Sequence, residues 1–211
     1  MPEETTVVHL LRHGEVDNPE GIVYGRLPGY VLSEEGVLMA KAAARSLAGR
    51  GVAALFSSPM ERTRETAQQF VDTLDLEMRL EDRLIEPTNH FEGKRFAVGG
   101  GALRHPGHWA VLHNPFRPSW GEPYAQIASR VLAAVAVARD AARGQEAVCV
   151  THQLPIWVAR RAVEGRSLWH MPNRRQCALA SITSLKYSGD RIVSVSYSEP
   201  GGSQYSSRAG A

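Results

Sequence analysis

With 211 residues the chain is long enough to bury a full α/β core in one domain, which excludes a small stapled scaffold. Its 24 Lys and Arg nearly balance 22 Asp and Glu, so the formal charge of +2 gives no general field for nucleic acid or a membrane surface, and any positive field has to be local. Two cysteines, Cys149 and Cys177, lie in apolar stretches and make no disulfide framework, so both are read as reduced core residues. The start, MPEETT, is acidic and leads into a short apolar run, which is neither a signal peptide nor a membrane span; a cytoplasmic protein is the expectation.

Val7 to Leu11 reads as a buried strand that ends in Arg12-His13-Gly14. A polar loop with Gly and Pro follows, to Leu32. Ser33 then has the character of an N-cap, with Glu34 and Glu35 in the first turn of an Ala/Leu/Met-rich helix running to Gly49. Val52 to Phe56 is a second buried strand; Ser57-Ser58-Pro59 turns it into a helix that reaches about Leu74, with Pro59 placed in the first turn. Glu77 to Leu80 suits a third strand, Glu122 to Arg143 a long helix, Ala147 to Thr151 a further strand, and Pro155 opens a helix ending near Gly165. Ser181 to Tyr187 and Arg191 to Tyr197 alternate about Ser188-Gly189-Asp190 as a hairpin, predicted to close the sheet edge.

Short apolar strands alternating with helices predict a largely parallel sheet covered on both faces, with an antiparallel edge. Residues 1–200 are expected to form one domain, with a tail from 201 to 211. From about 87 to 121 no period is visible; the segment holds Gly99-Gly100-Gly101, prolines and many aromatic and basic residues, and is read as a lid-like insertion. The glycine triplet lacks a preceding strand and a following Gly-Lys-Ser/Thr, so it is a loop and not a P-loop. His105 and His108 have an i, i+3 spacing, but no carboxylate or cysteine set completes a metal site, and no metal or other cofactor is expected. Trp157 and Trp169 are assigned to the core.

In open α/β sheets ligands collect beyond the carboxyl ends of the strands. Three strands here lead into Arg12-His13, into Ser57-Ser58 with Arg62 a turn later, and into Thr151-His152. If these strands are neighbours, two arginines and two histidines converge, a donor set suited to a phosphoryl dianion. Taken singly, each histidine reads as an ordinary hydrogen-bonded residue. Arg62 stands out because a cation in the first turn of a helix opposes the dipole unless an anion offsets it.

The strings LLRHGE, SSPMERTRETA, LIEPTNHFEG and VCVTHQLPIW resemble, in order and spacing, the motifs of the histidine phosphatase superfamily, over residues 7 to about 160. The resemblance implies a phosphoglycerate mutase-like, three-layer α/β/α sandwich. It makes His13 the nucleophile, Arg12 and Arg62 phosphate clamps, His152 the second histidine, Glu86 the general acid and Asn18 a further phosphate ligand. The chemistry is coherent: a neutral imidazole attacks phosphorus in line, the guanidiniums and a second imidazole stabilise the equatorial oxygens, and a carboxyl protonates the leaving alkoxide. Where the family has glycines after the second histidine, this chain has Gln153-Leu154-Pro155, an amide that can donate to phosphate or narrow the mouth. Glu15 and Glu92 are rival carboxylates, and Tyr24, Arg95 and Trp109 are candidates for the substrate mouth.

A phosphomonoesterase acting on a small phosphorylated metabolite is therefore the leading expectation. A phosphoglycerate mutase would share the same central residues, and the motifs also leave open a protein phosphatase or a non-catalytic phospho-ligand-binding module. The short insertion and the tail GGSQYSSRAGA argue for hydrolysis over phosphate shuffling. The expected partner is the small substrate, with no nucleic acid and no membrane; a homodimer is compatible with the sequence.

Overall fold

The structure is a computed structural model that describes residues 4–90, 92–94 and 121–201. In chain order the elements are β1 (Thr5–Arg12), α1 (Glu34–Ser46), β2 (Val52–Ser57), α2 (Glu61–Leu74), β3 (Met78–Leu80), α3 (Tyr124–Ala141), β4 (Glu146–Thr151), α4 (Gln153–Val163), β5 (Ile182–Ser188) and β6 (Arg191–Ser198). The strands make one sheet in the order β3-β2-β4-β1-β5-β6. β3, β2, β4 and β1 run parallel, and β5 and β6 form an antiparallel edge against β1.

Side chains on a strand point to alternate faces, and β4 shows the consequence. Ala147 and Cys149 pack with Ile127, Val131 and Ala138 of α3 and with Ile156 and Ala159 of α4. Val148 and Val150 face the other way, against Met39 and Ala43 of α1 and Ala67 and Phe70 of α2. Two helical layers thus sandwich the sheet, and burying strand residues on both faces is why β4 is apolar from Ala147 to Val150. Phe70 is fully buried, and removing its ring would cost about 3–5 kcal/mol. Both cysteines are free and buried.

Local signals explain most boundaries. The Ser33 hydroxyl accepts from the Gly36 amide and caps α1, with Glu34 and Glu35 in the first turn. The hairpin lies where alternation placed it, paired from Ile182↔Ser198 to Ser188↔Arg191 with a register shift between Lys186 and Tyr187. Several helix boundaries differ from the sequence reading, and α1 ends at Ser46, short of Gly49. Pro59 precedes α2, which is capped at Met60. α4 begins two residues before Pro155, because a first-turn residue has no intrahelical amide partner to lose. α3 starts at Tyr124, after Pro123, and ends at Ala141, short of Arg143. Trp157 is buried, but Trp169 is 38% exposed and is not a core residue.

Of the lid-like segment only 87–90, 92–94 and 121 are described, and its ends are pinned. Asn89 and Gly121 form an antiparallel bridge, and a Cβ on Gly121 would collide with the Thr88 carbonyl oxygen, so glycine permits this approach. The glycine triplet, His105 and His108 lie outside the described residues, as does all of the tail beyond residue 201. No helix among the described residues is long and apolar enough to cross a membrane.

Candidate active site

The sheet order brings three strand ends side by side, with β4 between β1 and β2. Arg12 pairs with Thr151 and Ser57 with Val150. The ladder then runs one residue past each strand: the His13 amide donates to the Thr151 carbonyl at 3.1 Å and the Ser58 amide to Val150 at 2.9 Å. His13, Ser58 and His152 therefore stand on one rim, where α2 and α4 also begin and turn their positive dipole ends toward it. The turn after β1 is packed hard on α1. A Cβ on Gly14 would strike the Gly36 carbonyl and one on Gly36 would strike the Glu15 carbonyl.

His13 is 3% exposed. Its Nδ1 lies 2.8 Å from the Gly14 carbonyl oxygen, which can only accept, so the hydrogen is on Nδ1 and the Nε2 lone pair is free. Burial, then Arg62 and Arg12, hold its pKa well below the ordinary histidine value. A neutral ring with one lone pair uncommitted beside two cations is arranged as a nucleophile toward an anion.

Arg62 is 1% exposed although it lies in the first turn of α2. Its place in the helix explains this: Arg62, Thr66 and Phe70, spaced by four, share the buried face. Its Nη2 donates to the Gly25 carbonyl at 2.8 Å, and its guanidinium stacks 4.8 Å from the Tyr24 ring. Arg12 donates from Nη1 to the Cys177 carbonyl at 2.7 Å. The Arg12 Nε and the Arg62 Nε and Nη1 are buried without a hydrogen-bond partner. Three orphaned donors on two cations are costly unless an anion occupies them.

His152 is fully buried, its ring centroid 5.3 Å from that of His13. Its Nδ1 lies 3.2 Å from Arg62 Nη2, a donor only, so this nitrogen accepts and the hydrogen is on Nε2, shared with the Ser58 hydroxyl at 2.9 Å. Burial and the arginines keep the ring neutral, its pKa well below the ordinary value. The second histidine thus backs Arg62 directly beside the His13 ring. Glu86 Oε2 lies 3.3 Å from the same Nδ1. Burial raises the Glu86 pKa against the pull of Arg62, Arg175, Arg12 and Arg130.

These groups surround a cavity of about 210 Å³, lined among others by Arg12, His13, Tyr24, Arg62, Glu86 and Gln153. Asn18 is not among its lining residues: its amide is used in the preceding loop, donating to the Ile22 carbonyl at 2.9 Å and accepting from the Ile22 amide at 3.1 Å. The rival carboxylates are also engaged elsewhere, Glu15 by the Ser33 hydroxyl and Glu92 by the Arg26 amide. Arg95 and Trp109 lie outside the described residues. Among the described residues no cluster of three or more His, Cys, Asp or Glu could hold a metal ion.

Several lining residues escaped the sequence reading, and Arg175 is the charged one with the most bearing on the site. Arg175 sits between α4 and β5 in the stretch PNRRQC, which looks like a solvated turn. Topology could have flagged it: β5 runs antiparallel to β1, so the chain entering β5 must cross the rim at which β1 ends.

The model of the Histidine phosphatase superfamily (branch 1) matches residues 8–200. An uncharacterized protein of Mycobacterium tuberculosis (strain ATCC 25618 / H37Rv) is 54% identical over 200 residues, covering 95% of this chain and 98% of that protein. Phosphoserine phosphatase 1 of Hydrogenobacter thermophilus is 30% identical over 151 residues, 70% of this chain and 71% of that one. Among solved structures, Bacillus stearothermophilus YhfR superposes with a TM-score of 0.73 at 25% identity, covering 89% of this chain and 94% of that one.

Proposed function

Since the chain belongs to branch 1 of the histidine phosphatase superfamily, we propose that it hydrolyses phosphomonoesters of small metabolites through a phosphohistidine on His13 Nε2. The observation that carries this reading is the pairing of a neutral His13, free only at Nε2, with a buried Glu86 whose pKa is raised. A binding module has use for the arginines but none for a buried carboxyl whose pKa is raised beside them.

In the first step the Nε2 lone pair forms the N–P bond while the ester P–O bond breaks. The orphaned donors of Arg12 and Arg62 take the charge on the non-bridging oxygens. Glu86 gives its proton to the departing alkoxide. In the second step the Glu86 carboxylate takes a proton from water, the hydroxide attacks phosphorus, and inorganic phosphate leaves with His13 neutral and Glu86 protonated again. His152 and Ser58 hold Arg62 in place throughout. The two guanidiniums supply the positive charge that a metal ion supplies elsewhere, so none is required.

The test is a rapid acid-quench with a ³²P-labelled phosphomonoester in the presence of EDTA. An acid-labile, base-stable phosphoenzyme that decays to free phosphate is the expected result; turnover with no such species, or only after a divalent ion is restored, overturns the reading. Fast formation of 2-phosphoglycerate from 3-phosphoglycerate with little phosphate release would make it a mutase instead.

A further inference from the structure

The cavity holds one more cation than a phosphoryl group needs. Arg12 and Arg62 stand beside His13 with donors unmatched. Arg175 lines the same cavity from the far side of Gln153: Arg12 Nη1 donates to the Cys177 carbonyl at 2.7 Å, Gln153 Nε2 donates to that carbonyl at 3.4 Å, and Arg175 Nη1 donates to Gln153 Oε1 at 3.2 Å. A side-chain amide thus separates the third guanidinium from the first.

The guanidinium of Arg175 is held in one plane by neutral groups. Its Nε donates to His170 Nε2 at 2.9 Å. His170 offers that lone pair because its Nδ1–H donates to the Leu168 carbonyl at 2.8 Å and its pKa is pushed down to about 4, chiefly by burial. Tyr124 is a further hydrogen-bonding neighbour. Arg175 forms no ion pair among the described residues, whereas Arg130, close by, is matched by Glu122 at 2.8 Å. Arg175 shares the cavity wall with Glu86 and is separated from Arg12 by Gln153, so it stands on the side of the cavity that faces the acid and away from the first phosphate clamp.

We propose that Arg175, oriented by His170 and Gln153, is a specificity-determining residue that holds a second anionic group, a carboxylate or a second phosphoryl group, on the leaving-group side of the substrate. The substrate class is then phosphorylated small acids or bisphosphates, and esters of neutral alcohols are poor substrates. The proposal rests on the hydrolase reading above. A charge-assisted hydrogen bond of this type is worth about 10- to 100-fold in discrimination.

The test compares kcat/KM within matched pairs: 3-phosphoglycerate against sn-glycerol 3-phosphate, which differ by a carboxylate, and propane-1,3-diol bisphosphate against 3-hydroxypropyl phosphate, which differ by a phosphoryl group. The intact chain should prefer the doubly anionic member of at least one pair about tenfold or more, and the pair names the anion. Arg175→Ala should bring that ratio to within about threefold of unity, and Arg175→Lys should keep part of it. A ratio measured on one preparation cancels the folded fraction, so partial misfolding does not mimic the effect. Ratios near unity in the intact chain, or a ratio that Arg175→Ala leaves unmoved, overturn the proposal while the hydrolase reading stands. If no ester is turned over, the hydrolase reading falls, and calorimetric affinities for 3-phosphoglycerate and sn-glycerol 3-phosphate decide on the subsite: a preference lost in Arg175→Ala supports it, and equal affinities refute it.

Discussion

His9 and His13 lie one helical turn's worth of sequence apart on and just past the same strand, both almost wholly buried, both with pKa values lowered by burial. Their surroundings are opposite. His9 has both nitrogens committed, Nδ1 to the Ser184 hydroxyl and Nε2 to Glu146, each at 2.8 Å, and Glu146 is held in turn by Arg50 at 3.0 Å. His13 has one nitrogen committed, to a carbonyl, and cations where His9 has a carboxylate. Burial and a lowered pKa thus do not distinguish a reactive histidine from a structural one; an unclaimed lone pair and the sign of the neighbouring charge do.

The comparison is broken most directly by substitution. His13→Ala should lower turnover by at least about 10⁴-fold, since losing the nucleophile leaves only binding and charge stabilisation. His9→Gln should act on stability, by about 1–3 kcal/mol for an unmatched buried partner, with turnover per folded molecule close to that of the parent. Steady-state assays alongside denaturant melts read both; near-parental turnover in His13→Ala, or a catalytic collapse in folded His9→Gln, would reverse the assignment.

A smaller effect is expected at the acid. Glu86→Gln should slow alkyl ester hydrolysis by about 10²–10⁴-fold and phosphorylation by an aryl phosphate far less, because a phenolate leaves without a proton. The raised pKa of Glu86 has a direction in pH as well. The carboxyl is the acid only while protonated, so alkyl ester turnover should fall as pH rises through its pKa, and aryl phosphate burst rates should not follow. Parallel pH profiles for the two substrates would point to another proton donor.

The smallest effect concerns stability, and here the two histidines should behave alike. His9, His13 and His152 all have folded pKa values depressed below about 6.5. Their stabilising contribution is complete above 6.5 and is lost as pH falls toward the folded values, because the unfolded chain takes up protons first. Each adds a slope of up to about 1.4 kcal/mol per pH unit below that point. Melting temperatures from pH 7.5 to 5 should drop, with a shallower slope in His13→Ala; a flat profile would show that these rings are protonated in the folded state.

Much of the centre was legible because it depends on where strands end. Arg12, His13 and His152 follow runs of apolar residues, and once β1, β2 and β4 are neighbours their ends must meet. Arg62 was legible twice, as a cation in a first turn and as a member of the Thr66 and Phe70 face. The Asn18 bonds to Ile22 were not legible, because a loop amide can satisfy its own backbone and sequence gives no sign of that choice. Trp169 was misassigned because size and apolarity say nothing of which side of a loop faces out. Arg175 was missed because its role depends on a strand direction set by pairing between residues far apart in the chain.

The bridge between Asn89 and Gly121 forms a stem at the cavity wall. Glu86-Pro87-Thr88 is held at the rim through the Thr151 hydroxyl bond to the Leu84 carbonyl at 2.5 Å, the Arg26 bond to the Glu86 carbonyl and the contact of Gly121 with Thr88. Closing a loop on a formed stem costs only about 0.6 kcal/mol more for each doubling of its length. A change in the length of the sequence between residues 94 and 121 is therefore expected to leave the rim residues in place.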